Sequence, residues 1–542
     1  MELWCITLYR KWSGFVWKSQ FGIVWFLQAA AAGGGMDGNK TLSSISFPHR
    51  MWPSDNHTTA IVTHPHTSMA TTRKKHVVLF PFPGQGHLAG FLAFAGLLRR
   101  ELPDAIVTLV STPRNVAALS SSAAAESSSI GLHALPFVPA DHGLPAGCES
   151  TSSLPLHEFM KLFEAFDSLE PAFDGYVSGL IGESEDASAT VCIVADTFVA
   201  WTVDVARRRG CAHAFFASCG AFGTAILHAL WKNMPALPFG PDGALRLPEH
   251  LEVVLHRSQL SPVFLHGAGR PTAYHHRHLP RGYLTDAVIS NTVEELEPTG
   301  LAMLRRTLGK VPVWPIGPLV RTVSQTETYS DDGVVRWLDA QQLSSVLYIS
   351  FGSQNTIRAN QMMDLAAALD ATGRPFVWAI RPPVGFDTNG DEWLPDGFEA
   401  WARAGSRGLL VRGWAPQLRI LAHRATAAFL SHCGWNSVLE SLTHGVPLMG
   451  WPLSAEQFYN VKTLEEVWGV CVEVARGNLE SSAVDRSKVA EVVEKVMGDT
   501  AESAAMRRRV KEAQQVLSKA WAEDGGSSRM ALHEFLRAMQ LQ

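Results

Sequence analysis

The stretch SHCGWNSVLES, Ser431 to Ser441, crowds a histidine, a glycine and small polar side chains between an apolar run (AAFL) and a helical pattern (NSVLESLTHG). A strand ending there delivers its loop to the C-terminal edge of a sheet. The helix that follows, starting near Asn436, aims its N-terminal N–H groups and positive dipole end at the same point. The chemistry on offer is anion binding. Gly434 permits close backbone approach, Asn436 and Ser437 add donors, and His432 donates to a phosphate oxygen even when neutral, so a diphosphate fits. The alternative is structural, with Asn436 capping the helix, His432 satisfied in a loop and Gly434 serving the turn. Two further residues have the right chemistry for proton transfer. His87 lies in FPGQGHL at a strand-to-helix turn, and Asp196 closes the apolar run TVCIVAD. Each alone reads as a helix-start histidine or an N-cap.

The elements that must position these groups alternate along the chain. HVVLFPF (76–82) is a short apolar run ending in Pro and Gly, and LAGFLAFAGLLRREL places apolar residues at helical spacing. Further apolar strands are predicted at 105–111, 190–196, 213–218 and 287–291, with Gly210 ending the helix after the second of these. Pro, Gly, Thr, Ser and Asp then collect without periodicity, which predicts an interdomain linker at 319–340. A second series follows, with strands at 345–353, 376–380, 408–414, 427–432 and 447–452, a helix around 358–372, and helices to the C-terminus. The pattern predicts an α/β protein with two doubly wound, Rossmann-like domains facing a central cleft.

Composition supports this size of architecture. The chain has 542 residues, 46% hydrophobic and 18% charged, ample for more than one core. A net charge of -5 without any long basic block excludes a nucleic-acid partner as the expected one. The seven cysteines are scattered in apolar surroundings, which predicts reduced thiols and a cytoplasmic location. Residues 1–75 differ from the rest: an apolar run from Phe21 to Ala32 is too short to span a bilayer and is followed by a polar stretch. They are expected to be a poorly ordered extension, with a secretory signal as the alternative and Met69 as a natural start. No stable membrane span is expected anywhere.

The segment WAPQLRILAHRATAAFLSHCGWNSVLESLTHGVPLMGWPLSAEQ, Trp414 to Gln457, strongly resembles the signature (PSPG box) of the plant family 1 UDP-glycosyltransferases, which have the GT-B fold. The likeness extends to HVVLFPFPGQGHLAGFLAFAGLL, SVLYISFGSQNTI and EDGGSSRMALHEFL, and so covers about 76 to 542. It implies an acceptor-binding domain at 76–318 and a UDP-sugar-binding domain at 341–515. Helices at 516–542 follow, the last packing back on the first domain. On the resemblance, Trp414 stacks on uracil and Ala415 pairs through its backbone, while Gln417 and Glu440 hold the ribose. His432, Gly434, Asn436 and Ser437 cradle the diphosphate with Ser353, and Trp435 offers its backbone N–H to the sugar. Glu456 and Gln457 resemble the pair that holds the hexose hydroxyls, although Ser454 to Gln457 also reads as a capping box. A terminal glutamine implies UDP-glucose.

His87 matches the family's catalytic base and Asp196 its carboxylate partner. The implied reaction is an inverting transfer of glucose to a hydroxyl of a small lipophilic acceptor, a phenolic, flavonoid, terpenoid or hormone, giving a β-glucoside. Neither a cofactor nor a metal is implied. The cluster His275, His276 and His278 reads as a solvated loop, and the protein is expected to be a monomer. One departure stands out: the family places proline three residues after the catalytic histidine, where this chain has Gly90, which predicts a looser helix start. Phe159, Phe163, Phe166, Phe173 and Phe222 line an acceptor cavity or, at helical spacing, the core. A non-catalytic small-molecule binder on the same fold is the alternative function, and such a protein would have no reason to keep both His87 and Asp196. An epimerase or lectin-like protein fits less well.

Overall fold

The computed structural model describes residues 74–542, apart from 122–129, 156–157, 183–188, 266–268, 321–332, 384–385, 387–389, 391, 478–481 and 483. The expected N-terminal extension, all but its last two residues, and most of the expected linker lie outside the described residues. Everything described falls within one compact unit, Ala70–Gln542.

Two parallel sheets organise it. In spatial order the first holds β3 (Gly131–Ala134), β2 (Ile106–Ser111), β1 (Lys75–Phe80), β4 (Thr190–Asp196), β5 (Ala212–Ala217), β8 (Ala287–Ser290) and β9 (Val313–Pro315). The second holds β12 (Gly408–Arg412), β11 (Phe376–Ile380), β10 (Val346–Ser350), β13 (Thr426–Ser431), β14 (Leu448–Gly450) and β15 (Cys471–Glu473). Helices cover both faces, so β1 beyond Lys75 and the whole of β10 are buried and read as largely apolar runs. β6 (Ala244–Leu247) and β7 (His250–His256) form a separate antiparallel hairpin.

Strand order fixes where a ligand can bind. In the first sheet the order reverses between β1 and β4, which pair in register from Lys75 with Thr190 to Phe80 with Ala195. In the second it reverses between β10 and β13, where Ser350 pairs with Ser431. At such a switch point the loops after the two strands turn to opposite faces and leave a crevice beyond their C-terminal ends. His87 and Asp196 follow β1 and β4. Ser353 and His432 follow β10 and β13.

The last helix, Ser527–Ala538, packs on the first sheet rather than the second. Leu532, Phe535 and Leu536 are buried among Phe91, Phe94 and Leu98, and Lys75 Nζ donates to Leu541 O at 2.8 Å. Phe458 and Tyr459, in the second half of the chain, join the first domain's core.

Four expectations need correction. Gly333–Asp339, read as linker, is a helix whose Val334 and Leu338 are buried in the second core. The β6–β7 hairpin and the strands β3, β9 and β15 escape sequence reading: β3, β6, β9 and β15 have three or four residues, too few for a clear period, and the seven residues of β7 leave Leu251 and Val254 exposed, which breaks the apolar-in alternation. His275, His276 and His278 are no solvated loop: they lie on the helix Gly269–His278, where His275 stacks on Trp231 at 3.9 Å and His278 is buried. Burial, then the neighbouring His278 and His276, holds the His275 imidazole down to about 3. Gly90 does not loosen a helix start, since the helix Gln85–Glu101 begins five residues earlier, and a Cβ at Gly90 would meet Phe216 at 3.2 Å.

Candidate active site

On the first domain's side, β1 runs into the turn Pro81 to Gly84, and His87 is the third residue of the following helix. The adjacent β4 ends at Asp196, so the two residues distant in sequence share one edge of the sheet. His87 Nδ1 lies 2.7 Å from Asp196 Oδ2, with Asp196 wholly buried and His87 22% exposed toward the cleft. Asp196 Oδ1 also accepts from Phe198 N at 3.0 Å, so the same carboxylate caps the short helix Thr197–Val199 and holds the imidazole. Asp196 thus makes the N-cap contact and the contact with His87 at once. An ionised carboxylate only accepts, so Nδ1 carries the proton and Nε2 keeps its lone pair. Burial pulls the His87 pKa down, but the charge and hydrogen bond of Asp196, with Glu456 further off, outweigh it and leave it raised above 6.5.

Sequence reading missed Ser218, just past β5, whose Oγ lies 3.4 Å from His87 Nδ1. Its position beyond a strand C-terminus was the available signal. An aromatic wall backs the pair: Phe198 is 5.2 Å and Phe82 6.0 Å from the His87 ring, and Phe163 stacks on Phe82 at 4.5 Å. Of the five candidate acceptor phenylalanines, Phe159, Phe166 and Phe173 are buried core, while Phe163 and Phe222 remain partly buried.

Across the cleft, β13 ends at Ser431 and the helix Trp435–Thr443 starts one residue earlier than expected. The left-handed backbone falls on Cys433, at φ 57°, and not on Gly434. It is held by Ser431 Oγ, which accepts from Cys433 N at 3.0 Å, and by Asn460 Nδ2, which donates to Cys433 O at 2.9 Å. Gly434 is required for a different reason: a Cβ there would lie 2.5 Å from His432 Nε2, and so would one at Gly352, which has φ +79°. The imidazole is therefore wedged between two glycines. Burial first, then the positive charge of Arg381, lowers its pKa to about 4, so His432 is neutral near pH 7.

Asn436 is not a cap. Its Nδ2 reaches over the cleft and donates to Gly86 O at 2.6 Å. Trp435 is buried, and its Nε1 donates to Asn291 O, beyond β8, at 2.6 Å. Gln354 Nε2 donates to Thr151 Oγ1 at 3.0 Å as a further bridge.

Further along, Trp414 is 68% exposed, which excludes the core-tryptophan reading, and Ala415 beside it is buried. Gln417 sits at the centre of a polar cluster: its Nε2 donates to Glu440 Oε2 at 2.6 Å and Ser437 Oγ at 3.1 Å, and Tyr348 OH donates to its Oε1 at 3.1 Å. Glu456 is buried, and burial raises its carboxyl pKa against the opposing pull of a backbone N–H and His87. Gln457 Oε1 accepts from Leu453 N at 2.9 Å and Ser454 N at 3.0 Å, so the capping contact is made and the side-chain NH₂ is the part left for a ligand.

These groups converge on one cleft of about 570 Å³, lined by His87, Ser353, Trp414, Ala415, Gln417, His432, Gly434, Trp435, Asn436, Ser437, Glu440, Glu456 and Gln457, with Asp196 behind His87. That volume suits a drug-sized or nucleotide-sized ligand. Among the described residues no group of three or more His, Cys, Asp or Glu could hold a metal ion.

A family model described as UDP-glucoronosyl and UDP-glucosyl transferase matches residues 328–509. UDP-glycosyltransferase 92A1 of Arabidopsis thaliana is 37% identical over 486 residues, 86% of this chain and 97% of that protein. The chain belongs to the plant UDP-glycosyltransferases. Crocetin glucosyltransferase 3 of Crocus sativus is 39% identical to this glycosyltransferase over 76% of the chain and 90% of its own length. Among solved structures, UGT71G1 of Medicago truncatula complexed with UDP-glucose superposes on it with a TM-score of 0.70 at 25% identity, over 86% of this chain and 98% of that one. UGT2 of Phytolacca americana, complexed with UDP-2fluoro-glucose and pterostilbene, gives 0.69 at 28% identity, over 86% and 99%. The glycosyltransferase thus has the GT-B fold. Among its described residues no helix is long and apolar enough to cross a membrane.

Proposed function

We propose that this glycosyltransferase moves glucose from UDP-glucose to a hydroxyl of a small lipophilic acceptor, a phenolic, flavonoid, terpenoid or hormone, with inversion to a β-glucoside. The observation that carries the reading is the 2.7 Å His87–Asp196 contact, which faces the polar groups around His432 and Glu440 over a single cleft.

In this reading Trp414 carries the uracil on its exposed face and Ala415 pairs through its backbone. Gln417 and Glu440 hold the ribose. Ser353, His432, Gly434, Asn436 and Ser437 hold the diphosphate at the helix N-terminus, where backbone N–H groups and the dipole favour negative charge. Trp435, Glu456 and the Gln457 amide NH₂ position the hexose. The acceptor hydroxyl gives its proton to His87 Nε2 while its oxygen attacks C1 from the face opposite the diphosphate. The C1–O bond to the β-phosphate breaks, and UDP leaves with the electron pair. Asp196 stabilises the imidazolium that forms. The polar groups at the diphosphate end stabilise the charge growing on the leaving oxygen. We further place the protein in the cytoplasm as a monomer, a reading supported by cysteines that are free among the described residues.

The test is incubation with UDP-glucose and a panel of phenolic, flavonoid and terpenoid alcohols, with the glucoside's anomeric configuration read by NMR. A β-glucoside is expected. An α-glucoside, or UDP release from no acceptor in the panel, overturns the reading.

A further inference from the structure

One residue past β11, the Arg381 guanidinium lies on the cleft wall beside the loop that follows β10. Its Nη1 donates to Ser353 O at 2.5 Å, and its Nη2 donates to Asn355 O at 2.8 Å and to Gly352 O. Three carbonyls of a four-residue turn are thus tied to one side chain. The planar fork of arginine is what makes this possible, because a lysine ammonium presents a single point of charge.

This arrangement has an electrostatic consequence for the cleft. Carbonyl oxygens point negative partial charge at their surroundings, and three of them at the wall of an anion site would repel the anion. The guanidinium takes them as acceptors and leaves a net positive charge in their place. That charge also reaches His432, whose imidazole is wedged between Gly352 and Gly434 and is kept neutral partly by Arg381. Arg381 and Arg419 are the two arginines on the cleft wall among the described residues, and Arg419 stands two residues past Gln417, on a different element. The same loop carries Gln354, which bridges to Thr151 of the other domain.

We propose that Arg381 is the charge-bearing positioning residue of the diphosphate end of the donor site: it fixes the turn from Gly352 to Asn355 and offsets the negative charge that the diphosphate brings. The inference rests on the proposed diphosphate position beside Ser353 and His432. None of the motifs read from the sequence includes this arginine.

The experiment compares the full-length wild type with R381Q and R381K, measuring Kd for UDP and for uridine at several salt concentrations. Wild type is expected to prefer UDP over uridine by about tenfold or more, the scale of a charge-assisted contact. R381Q is expected to lose about tenfold in UDP affinity with uridine affinity unchanged, and its UDP binding is expected to weaken less with salt. R381K should lie between the two, since it keeps the charge and loses the fork. Equal losses for UDP and uridine, or no loss for UDP, overturn the proposal. A wild type that binds uridine as tightly as UDP overturns the diphosphate reading beneath it, a failure distinct from the first. Should R381Q not fold, R381K carries the test: it must retain the salt dependence of UDP binding at reduced affinity, and a salt-independent wild type refutes the claim.

Discussion

The His87 imidazole gains its basicity chiefly from the buried Asp196 carboxylate, with a smaller part from Glu456, and this makes its pH behaviour specific. With its pKa raised above 6.5, His87 is protonated at low pH, and as the proposed base it would then be unable to take a proton, so kcat/KM should rise with pH through a point above 6.5 and then level off. Asp196→Asn removes the charge that raises the pKa, so the rising limb should move to lower pH while the plateau falls. A limb that stays in place would show that another group is titrating. The same raised value carries a stability signature. The pair's contribution is present in full below 6.5 and is lost as pH climbs through the folded-state pKa, and the Asn variant should lack that dependence in urea titrations. His432, held at about 4, should contribute no limb between pH 6 and 8. That most residues proposed for the donor side would line one cleft was legible because the Trp414 to Gln457 segment sets them in one continuous run. Ser218 and Arg381 were not, because each is an ordinary residue just past a strand, and only the fold shows what it touches.

At the level of elements, apolar runs long enough to fill a central strand were readable, and so was the turn after each. What escaped was short or set by packing. β15 has three residues, and the helix Gly333–Asp339 has seven that follow a polar stretch, so Val334, Trp337 and Leu338, although at helical spacing on the second core, give a signal barely two turns long. Buried caps are equally silent. Glu297 is buried and accepts from Ala221 N at 2.8 Å and Phe222 N at 3.1 Å, so it closes the N-terminus of the helix Ala221–Asn233 from 75 residues away or more. Burial raises its carboxyl pKa, with the Thr292 hydroxyl and the two amides pulling the other way. Glu297→Ala strands those amides without solvent and should cost about 2 kcal/mol, read as a lower denaturant midpoint at constant m-value. Gly434→Ala tests the wedge at His432: the added Cβ at 2.5 Å must displace the imidazole, so KM for UDP-glucose should rise while thermal stability changes little. An unchanged KM would show that the imidazole position does not matter to donor binding.

At the scale of the whole molecule, the sequence predicted two facing domains but not the bonds that join them across the cleft. Asn436 shows why: its motif assigns it to the diphosphate, yet its side chain donates to Gly86 O, one residue before the proposed base. A group that touches both sides links donor binding to the placement of His87. Asn436→Ala should therefore lower kcat/KM by about tenfold, the worth of one hydrogen bond near 1.4 kcal/mol, with kcat and KM both affected. A change in KM alone would confine Asn436 to the donor side. The proposed division of labour is that His87 removes the acceptor proton while the groups of the opposite wall grip UDP. The most direct measurement is steady-state glucoside formation from UDP-glucose by wild type and His87→Ala, with UDP affinity measured on both proteins. kcat is expected to fall by about 10² to 10⁴ with Kd for UDP unchanged. Equal turnover in the two proteins would contradict it.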